Sequence, residues 1–448
     1  MSSDGESVLF RTLLAETKDG EWGKDTAFDD SIEMLVIRGT DFDTVRSGSF
    51  VGVPRRFIAS KQANRKALRP YDILIETAGG SRGRPTGKTV LLRPALFEAS
   101  AHAITCASFA RFLRIEPDLA NPEYVYWYLQ HLYKSGVIES HQVQHTGIAR
   151  FQFTKFADSV EVRLPDPRAQ AHLVEVMSAL EERIALLRET NSTLEAIAQA
   201  LFKSWFVDFD PVRAKSQGLP PAGMDEATAA LFPDGFEESA LGPLPRGWRA
   251  ATLAEAFDIN PTRSLKKGAV SPYLDMASVA TSGHCVAPPV QRAFASGTKF
   301  CNGDTLLARI TPCLENGKTA FVDFLDKNEV GWGSTEFIVL RPKAPMPEYL
   351  AYLACRHAPF REYAVRSMSG TSGRQRVQSD VLGLYPLTVP PHAVATAFKE
   401  VVEPLQQAIA SNHARGQTVA TLRDTLLPRL ISGQLRLPDA EALIEEAA

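Results

Sequence analysis

The run Pro122-Glu123-Tyr124 recurs as Pro347-Glu348-Tyr349, and the same spacing carries Phe112 onto Phe337, Pro117 onto Pro342 and Pro165 onto Pro390. It continues through Glu175-Val176 and Glu400-Val401, Leu180 and Leu405, Ile184-Ala185 and Ile409-Ala410, and Leu201 and Leu426. Around Gly147 and Gly373 the copies match after a one-residue shift, and upstream Gly87-Lys88-Thr89 answers Gly317-Lys318-Thr319 across a further drift. A period this long is not that of a solenoid. It reads as a duplicated unit, each copy a globular domain followed by a helix.

The helices are the clearest local signal. Leu173, Leu180, Leu187, Leu194 and Leu201 are spaced by seven, and Met177, Ile184, Asn191, Ala198 and Trp205 keep the same period four residues on. One polar residue in an apolar heptad row is a register-setting device of coiled coils. Asp166 is placed to N-cap and Pro167 to take the first helical position, where its missing N–H costs nothing. The second copy keeps Phe398, Leu405, Val419 and Leu426, supported by Val402, Ile409 and Leu430, but Pro404 and Gly416 are expected to kink or interrupt it. Each helix has one apolar stripe to bury, and the order domain–helix–domain–helix brings them together antiparallel.

The globular parts read as α+β. Short strands are expected at 71–75, 304–307 and 337–340, and short Pro-started helices at 124–132 and 349–354. The expected organisation is a first globular domain at 1–164, a first helix at 165–209 and a linker rich in Pro, Gly and acid at 210–243. A second globular domain at 244–390, a second helix at 391–432 and a tail at 433–448 complete it.

Composition removes several classes. No apolar run reaches the ~18 residues that span a bilayer, and the polar start with Asp4 and Glu6 does not read as a signal peptide. Five cysteines without a Cys-x-x-Cys pair indicate neither a disulfide framework nor a zinc site, so a reduced cytoplasm is expected. Net charge is −3, yet positions 38–93 hold twelve Lys/Arg against four Asp/Glu, a local basic surface able to attract DNA.

Two catalytic-looking motifs fail on chemistry. The stretch from Gly80 to Thr89 ends in Gly-Lys-Thr, but Arg82 stands where a phosphate-binding loop needs its first glycine. Asn121-Pro122-Glu123-Tyr124 is near the Asn-Pro-Pro-Tyr of adenine methyltransferases, but the second copy has Met346 for the Asn. Gly331-Trp332-Gly333 lacks the surroundings of a cofactor loop. His141 and His145 have no carboxylate motif to complete a metal site. The basic clusters point elsewhere. Arg82, Arg84 and Lys88 share a Gly-rich loop; Arg150 with Gln152, and Arg374, Gln375 and Arg376, follow Gly147 and Gly373 at repeat-related places. Arg and Gln have forked ends that match guanine and adenine edges. Arg374 and Arg376 alternate, so on a strand both would share a face.

Several segments resemble the specificity subunits of type I restriction–modification enzymes. They are Leu244-Pro245-Arg246-Gly247-Trp248, the stretch from Gly303 to Pro312, Leu164-Pro165-Asp166-Pro167 with Gln170, and the helix exits Leu201 to Pro211 and Leu426 to Leu435. The first domain lacks the Leu-Pro-x-Gly-Trp opening, and Ala395 stands where the second copy would repeat Gln170. The resemblance implies two target-recognition domains separated by two antiparallel coiled-coil helices, each domain reading half of a split, asymmetric site in double-stranded DNA. It implies no catalysis and no cofactor in this chain. Two modification subunits would methylate adenine with S-adenosylmethionine, and restriction subunits would use ATP and magnesium. The expected DNA contacts are Arg82, Arg84, Lys88, Arg150 and Gln152, then Arg309, Lys318, Arg374, Gln375 and Arg376, with Lys88 and Lys318 on phosphates. Phe202, Trp205 and Phe206 are expected to help dock a modification subunit. The competing readings are a coiled-coil scaffold without a DNA role and a catalytic methyltransferase with a fused recognition domain.

Overall fold

The computed structural model describes residues 5–79, 85–145, 148–435, 439, 440 and 443. The chain divides into two compact units, Met1–Ala185 with Gln417–Ala448, and Leu186–Gly416. Each takes half of each long helix.

The described residues of the first unit form twelve strands: β1 (Glu6–Leu9), β2 (Leu14–Asp19), β3 (Ser31–Ile37), β4 (Arg55–Ala59), β5 (Ile73–Glu76), β6 (Ala78–Gly79), β7 (Thr89–Leu91), β8 (Ala103–Cys106), β9 (Ala110–Ile115), β10 (Gln142–His145), β11 (Ile148–Phe151) and β12 (Glu161–Leu164). They form a β1-β12 pair and sheets in the orders β2-β9-β5-β7, β4-β3-β8 and β10-β11-β6. In the second unit the first strands form a hairpin, β13 (Phe236–Ser239) and β14 (Gly242–Pro245). It continues with β15 (Arg249–Thr252), β16 (Phe257–Ile259), β17 (Val270–Leu274), β18 (Val290–Ala293), β19 (Thr298–Phe300), β20 (Thr305–Ala308), β21 (Thr319–Phe321), β22 (Gly331–Gly333), β23 (Phe337–Pro342) and β24 (Pro386–Val389). These form a β15-β24 pair and sheets in the orders β16-β23-β20-β21 and β18-β17-β22-β19. The duplication is therefore topological. Both units have a terminal antiparallel pair, a four-stranded antiparallel sheet in one order, and a second sheet with a single parallel pairing, β3 with β8 or β17 with β22.

A buried ion pair marks the register of the two copies. Asp72 is 1% exposed; its carboxylate accepts from Arg69 N at 2.7 Å and from Arg114 Nε and Nη2 at 2.9 and 2.8 Å. Asp304 is fully buried and accepts from Cys301 N at 2.9 Å, Arg341 Nη1 at 2.9 Å and Arg263 Nη2 at 2.8 Å. The residue before each aspartate has left-handed backbone, Tyr71 at φ 67° and Gly303 at φ 88°, so the same tight turn enters β5 and β20. Strand pairing confirms that Gly87-Lys88-Thr89 and Gly317-Lys318-Thr319 correspond, since Ile75 faces Thr89 and Leu307 faces Thr319. It corrects the match of Phe112 with Phe337. Phe112 faces Leu74 and Val339 faces Leu306, so Val339 is the counterpart of Phe112. Spacer residues between β9 and the Pro-Glu-Tyr helix differ in number between the copies, and alignment by spacing passes over that.

The short helices start as the sequence predicts. Asn121 caps Pro122–Lys134, its Oδ1 accepting from the N–H of Glu123 at 2.9 Å. Gln170, 3% exposed, ties this cap to the long helix by accepting from Asn121 N at 3.0 Å and donating to Pro165 O at 2.9 Å. Asn121 is thus a structural residue, in line with its absence from the second copy.

The first long helix is Pro167–Phe206, with Asp166 Oδ1 accepting from Arg168 N at 3.0 Å. The second is His392–Ile431. It continues through Pro404 and Gly416, contrary to the expected interruption. Pro404 and Glu400 lie on the exposed face, where water can satisfy the carbonyl that proline leaves unbonded, while Phe398 and Val402 bury the opposite face. Gly416 stands opposite Leu187, whose Cδ1 would lie 3.9 Å from an added Cβ, an ordinary packing distance, so the seam there does not require a glycine.

The helices run antiparallel in both units. In the first, Leu173, Met177 and Leu180 share a core with Leu426 and Leu430. In the second, Ala198, Phe202 and Trp205 share one with Val394, Phe398 and Val402. Asn191, the polar heptad residue, donates to Ile409 O at 3.0 Å and accepts from Asn412 Nδ2 at 3.0 Å. This cross-helix pair holds one register, because a slip strands both amides. Asn191→Ala is expected to cost about 1–2 kcal/mol by leaving the Asn412 amide without its partner, measured by urea denaturation. An unchanged midpoint would remove the register role.

Candidate nucleic-acid interface

The basic residues of the second unit converge at the end of β20. Arg309 follows that strand, and its N–H donates to Glu336 O at 2.9 Å. The segment after Gly373 (φ 76°) folds back onto it: Ile310 and Ser369 both bridge to Arg376, Val377 N donates to Arg309 O at 3.0 Å, and Thr311 N donates to Gln375 O at 3.0 Å. Arg376 grips Glu336 side-on, with Nε 2.9 Å from Oε2 and Nη2 2.6 Å from Oε1, while Nη1 donates to Arg374 O at 3.1 Å. The Arg376 bonds hold the Glu336 carboxyl below its ordinary range. Arg309 Nη2 donates to Gln378 Oε1 at 2.7 Å; its Nε is buried with no partner among the described residues. Arg374 is exposed in the turn.

Two expectations change here. Arg374 and Arg376 do not alternate on a strand: only Arg376 joins the ladder, through isolated bridges, because the turn after Gly373 occupies Arg374. Lys318 is half-buried, and one N–H of its Nζ donates to Met276 O at 2.7 Å, so the fold holds the ammonium in place with two donors left, instead of leaving the side chain extended into solvent.

In the first unit β11 exposes Ile148 and Arg150 and buries Ala149 and Phe151. Arg150 pairs with Val143 on one side and Ala78 on the other. Phe151 N donates to Thr77 O at 2.9 Å, and Thr77 N to Phe109 O at 2.8 Å. Gln152 follows, exposed. Lys88 is half-buried beside Glu76, whose carboxyl burial pushes up and Lys88 pulls back. Arg82 and Arg84 lie outside the described residues.

The two arrangements superimpose bond for bond in the ladder. Arg150 answers Arg376, Thr77 answers Arg309, Phe109 answers Glu336, and Gln152 answers Gln378. Phe109 is 61% exposed. Sequence reasoning found the arginines but missed Glu336, Phe109 and Gln378. The one-residue shift at Gly147 and Gly373 carries Gln152 onto Gln378, and that signal was available; Glu336 and Phe109 come from the turns that lead into β23 and β9 and carry no local mark.

The aromatic exit of the first helix is a correction. Phe202, Trp205 and Phe206 are 7%, 5% and 7% exposed, packed with Phe398, Phe232 and Trp248 in the core of the second unit. Side chains so enclosed do not present a docking surface. Three aromatics exceed what one helix seam needs because this end of the helix also meets the linker and the β-sheet domain.

No family profile matches the chain. It is 23% identical to the type I restriction enzyme HindI specificity subunit of Haemophilus influenzae, over 62% of this chain and 69% of the relative. It is 21% identical to the MjaIX specificity subunit of Methanocaldococcus jannaschii, over 70% of this chain and 69% of the relative. Its fold resembles that of a type I restriction–modification S subunit from M. genitalium, with TM-score 0.51 and 14% identity over 96% of this chain and 97% of that one. In its duplicated domains, its paired long helices and its sequence, the chain is similar to the specificity subunits of type I restriction enzymes.

Proposed function

We propose that the chain reads a bipartite, asymmetric DNA site and directs adenine methylation and restriction carried out by partner subunits. The observation that carries this is the segment Arg150 to Gln152, matched by Arg376 to Gln378, held in the same backbone ladder in both units, with Phe109 at the ladder position that Glu336 takes in the second unit. One scaffold holding two chemically distinct readers fits two different half-sites. Arginine is the side chain that most often forks onto guanine, and glutamine can fork onto adenine.

The chemistry belongs, in this reading, to two modification subunits using S-adenosylmethionine and to restriction subunits using ATP and magnesium; this chain supplies no catalytic group. Asn121, the residue nearest to a methyltransferase motif, spends its side-chain oxygen on capping a helix. No helix among the described residues is long and apolar enough to cross a membrane, and a cytoplasmic setting goes with the role.

The test is mapping of methylated adenines in cells carrying the complete modification complex with Arg150→Ala. Degeneracy at one position of one half-site, with the other half and the spacer unchanged, is expected, at about 1–3 kcal/mol of lost discrimination. Degeneracy of both halves together would defeat the modular reading. Lys88→Ala, if Lys88 contacts phosphate, weakens all sequences alike and lowers the slope of log affinity against log salt by about one.

A further inference from the structure

The Arg376–Glu336 pair is built for more than holding a loop. An arginine has five N–H donors. Here Nε and Nη2 engage the carboxylate side-on, and Nη1 donates to the Arg374 carbonyl. What remains is one N–H on Nη1 and one on Nη2, the two nitrogens that form the outer edge of the guanidinium. Those two parallel donors match the O6 and N7 acceptors of guanine in the major groove. The pair is reachable, since Arg376 keeps 37% of its side chain exposed and Glu336 24%. Its frame is rigid: the Arg376 backbone is bridged to both Ile310 and Ser369, and the Glu336 carbonyl is bonded to Arg309 N. In the first unit the counterpart of Glu336 is Phe109, which has no carboxylate to orient Arg150.

We infer that Glu336 is a positioning residue that presents Arg376 end-on to a guanine in the half-site read by the second unit. The inference rests on the proposed role in DNA reading and adds the base class and the residue that orients its reader. A carboxylate clamp removes rotamer freedom that a lone arginine would lose on binding, and it fixes which two donors face the base. Both side chains are part-exposed, and glutamine keeps an oxygen that accepts from Arg376, so the structural cost of Glu336→Gln is small and the two roles separate by measurement.

The experiment compares methylated-site maps from cells carrying the complete modification complex with the unaltered chain, Arg376→Ala, Glu336→Gln and Glu336→Asp, alongside the melting temperature of each purified complex. Arg376→Ala is expected to reduce discrimination at one G·C position by roughly ten- to hundred-fold. Glu336→Gln is expected to loosen that same position several-fold, with the other half-site, the spacer and Tm unchanged, and Glu336→Asp to retain more discrimination than Glu336→Gln. A map unaltered by Glu336→Gln overturns the inference. So does a change at a different position from that of Arg376→Ala, which would make Glu336 a reader of cytosine in its own right. A drop in Tm with uniform loss at all positions also overturns it, in favour of a structural link. An unaltered complex that methylates without sequence preference removes the broader reading and this inference together.

Discussion

Trp205→Ala is expected to destabilise the second unit by about 3–5 kcal/mol, the range for emptying a large aromatic site in a packed core. Trp205 is 5% exposed, with ring centroids of Phe232 at 5.0 Å and Phe398 at 5.4 Å around it. Phe398 lies on the second long helix and Phe232 in the linker, so the cavity would loosen three chain segments at once. Calorimetry should show the unfolding of this unit fall by roughly 6–20 °C. Copurification with a modification subunit should fall only as far as the folded fraction falls. A nearly unchanged melting temperature with loss of the partner would restore the docking role that the sequence suggested and the burial argues against.

Asp304→Asn is expected to cost about 3 kcal/mol. Removing one member of a fully buried ion pair costs about 3–5 kcal/mol, because the charge left behind has neither partner nor water. Asp304 is fully buried, but Arg263 and Arg341 keep 19% and 27% of their side chains exposed, and that partial hydration places the cost at the low end. Asparagine can still accept from Cys301 N, so the turn into β20 survives and the loss reports the arginines. Glu348→Gln, which removes the half-exposed second acid beside Arg341, is the control and should stay within about 1 kcal/mol. Equal losses from both substitutions, read by urea denaturation, would mean that burial of Asp304 is not what matters.

Much of this architecture could be read from the chain as letters. Heptad spacing located the first long helix, because seven residues make about two turns of helix and so return to the same face. Asp166-Pro167 and Asn121-Pro122 marked helix starts, since capping needs only neighbours in sequence. Repetition of Gly-Lys-Thr and of the Gly-then-Arg segments showed two copies of one domain, and the lone Asn191 in an apolar row marked the register of the helix pair.

What the letters left open is decided by which distant segments meet. Phe112 matched Phe337 by spacing, but hydrogen-bond register set Val339 in its place, because loops of unequal length slip the copies against each other. Pro404 counts against a helix locally, yet its position on the exposed face and the burial of Phe398 and Val402 opposite carry the helix through. Phe202, Trp205 and Phe206 look the same in sequence whether they face a partner or their own core; the linker and the sheet domain enclose them. Arg376 acquires its meaning from Glu336, held forty positions away in the turn that leads into β23. Local periodicity and capping are written over a few residues and survive in one dimension. Burial, ion pairing and strand register are sums over segments far apart in the chain, and only the folded arrangement of those segments fixes them.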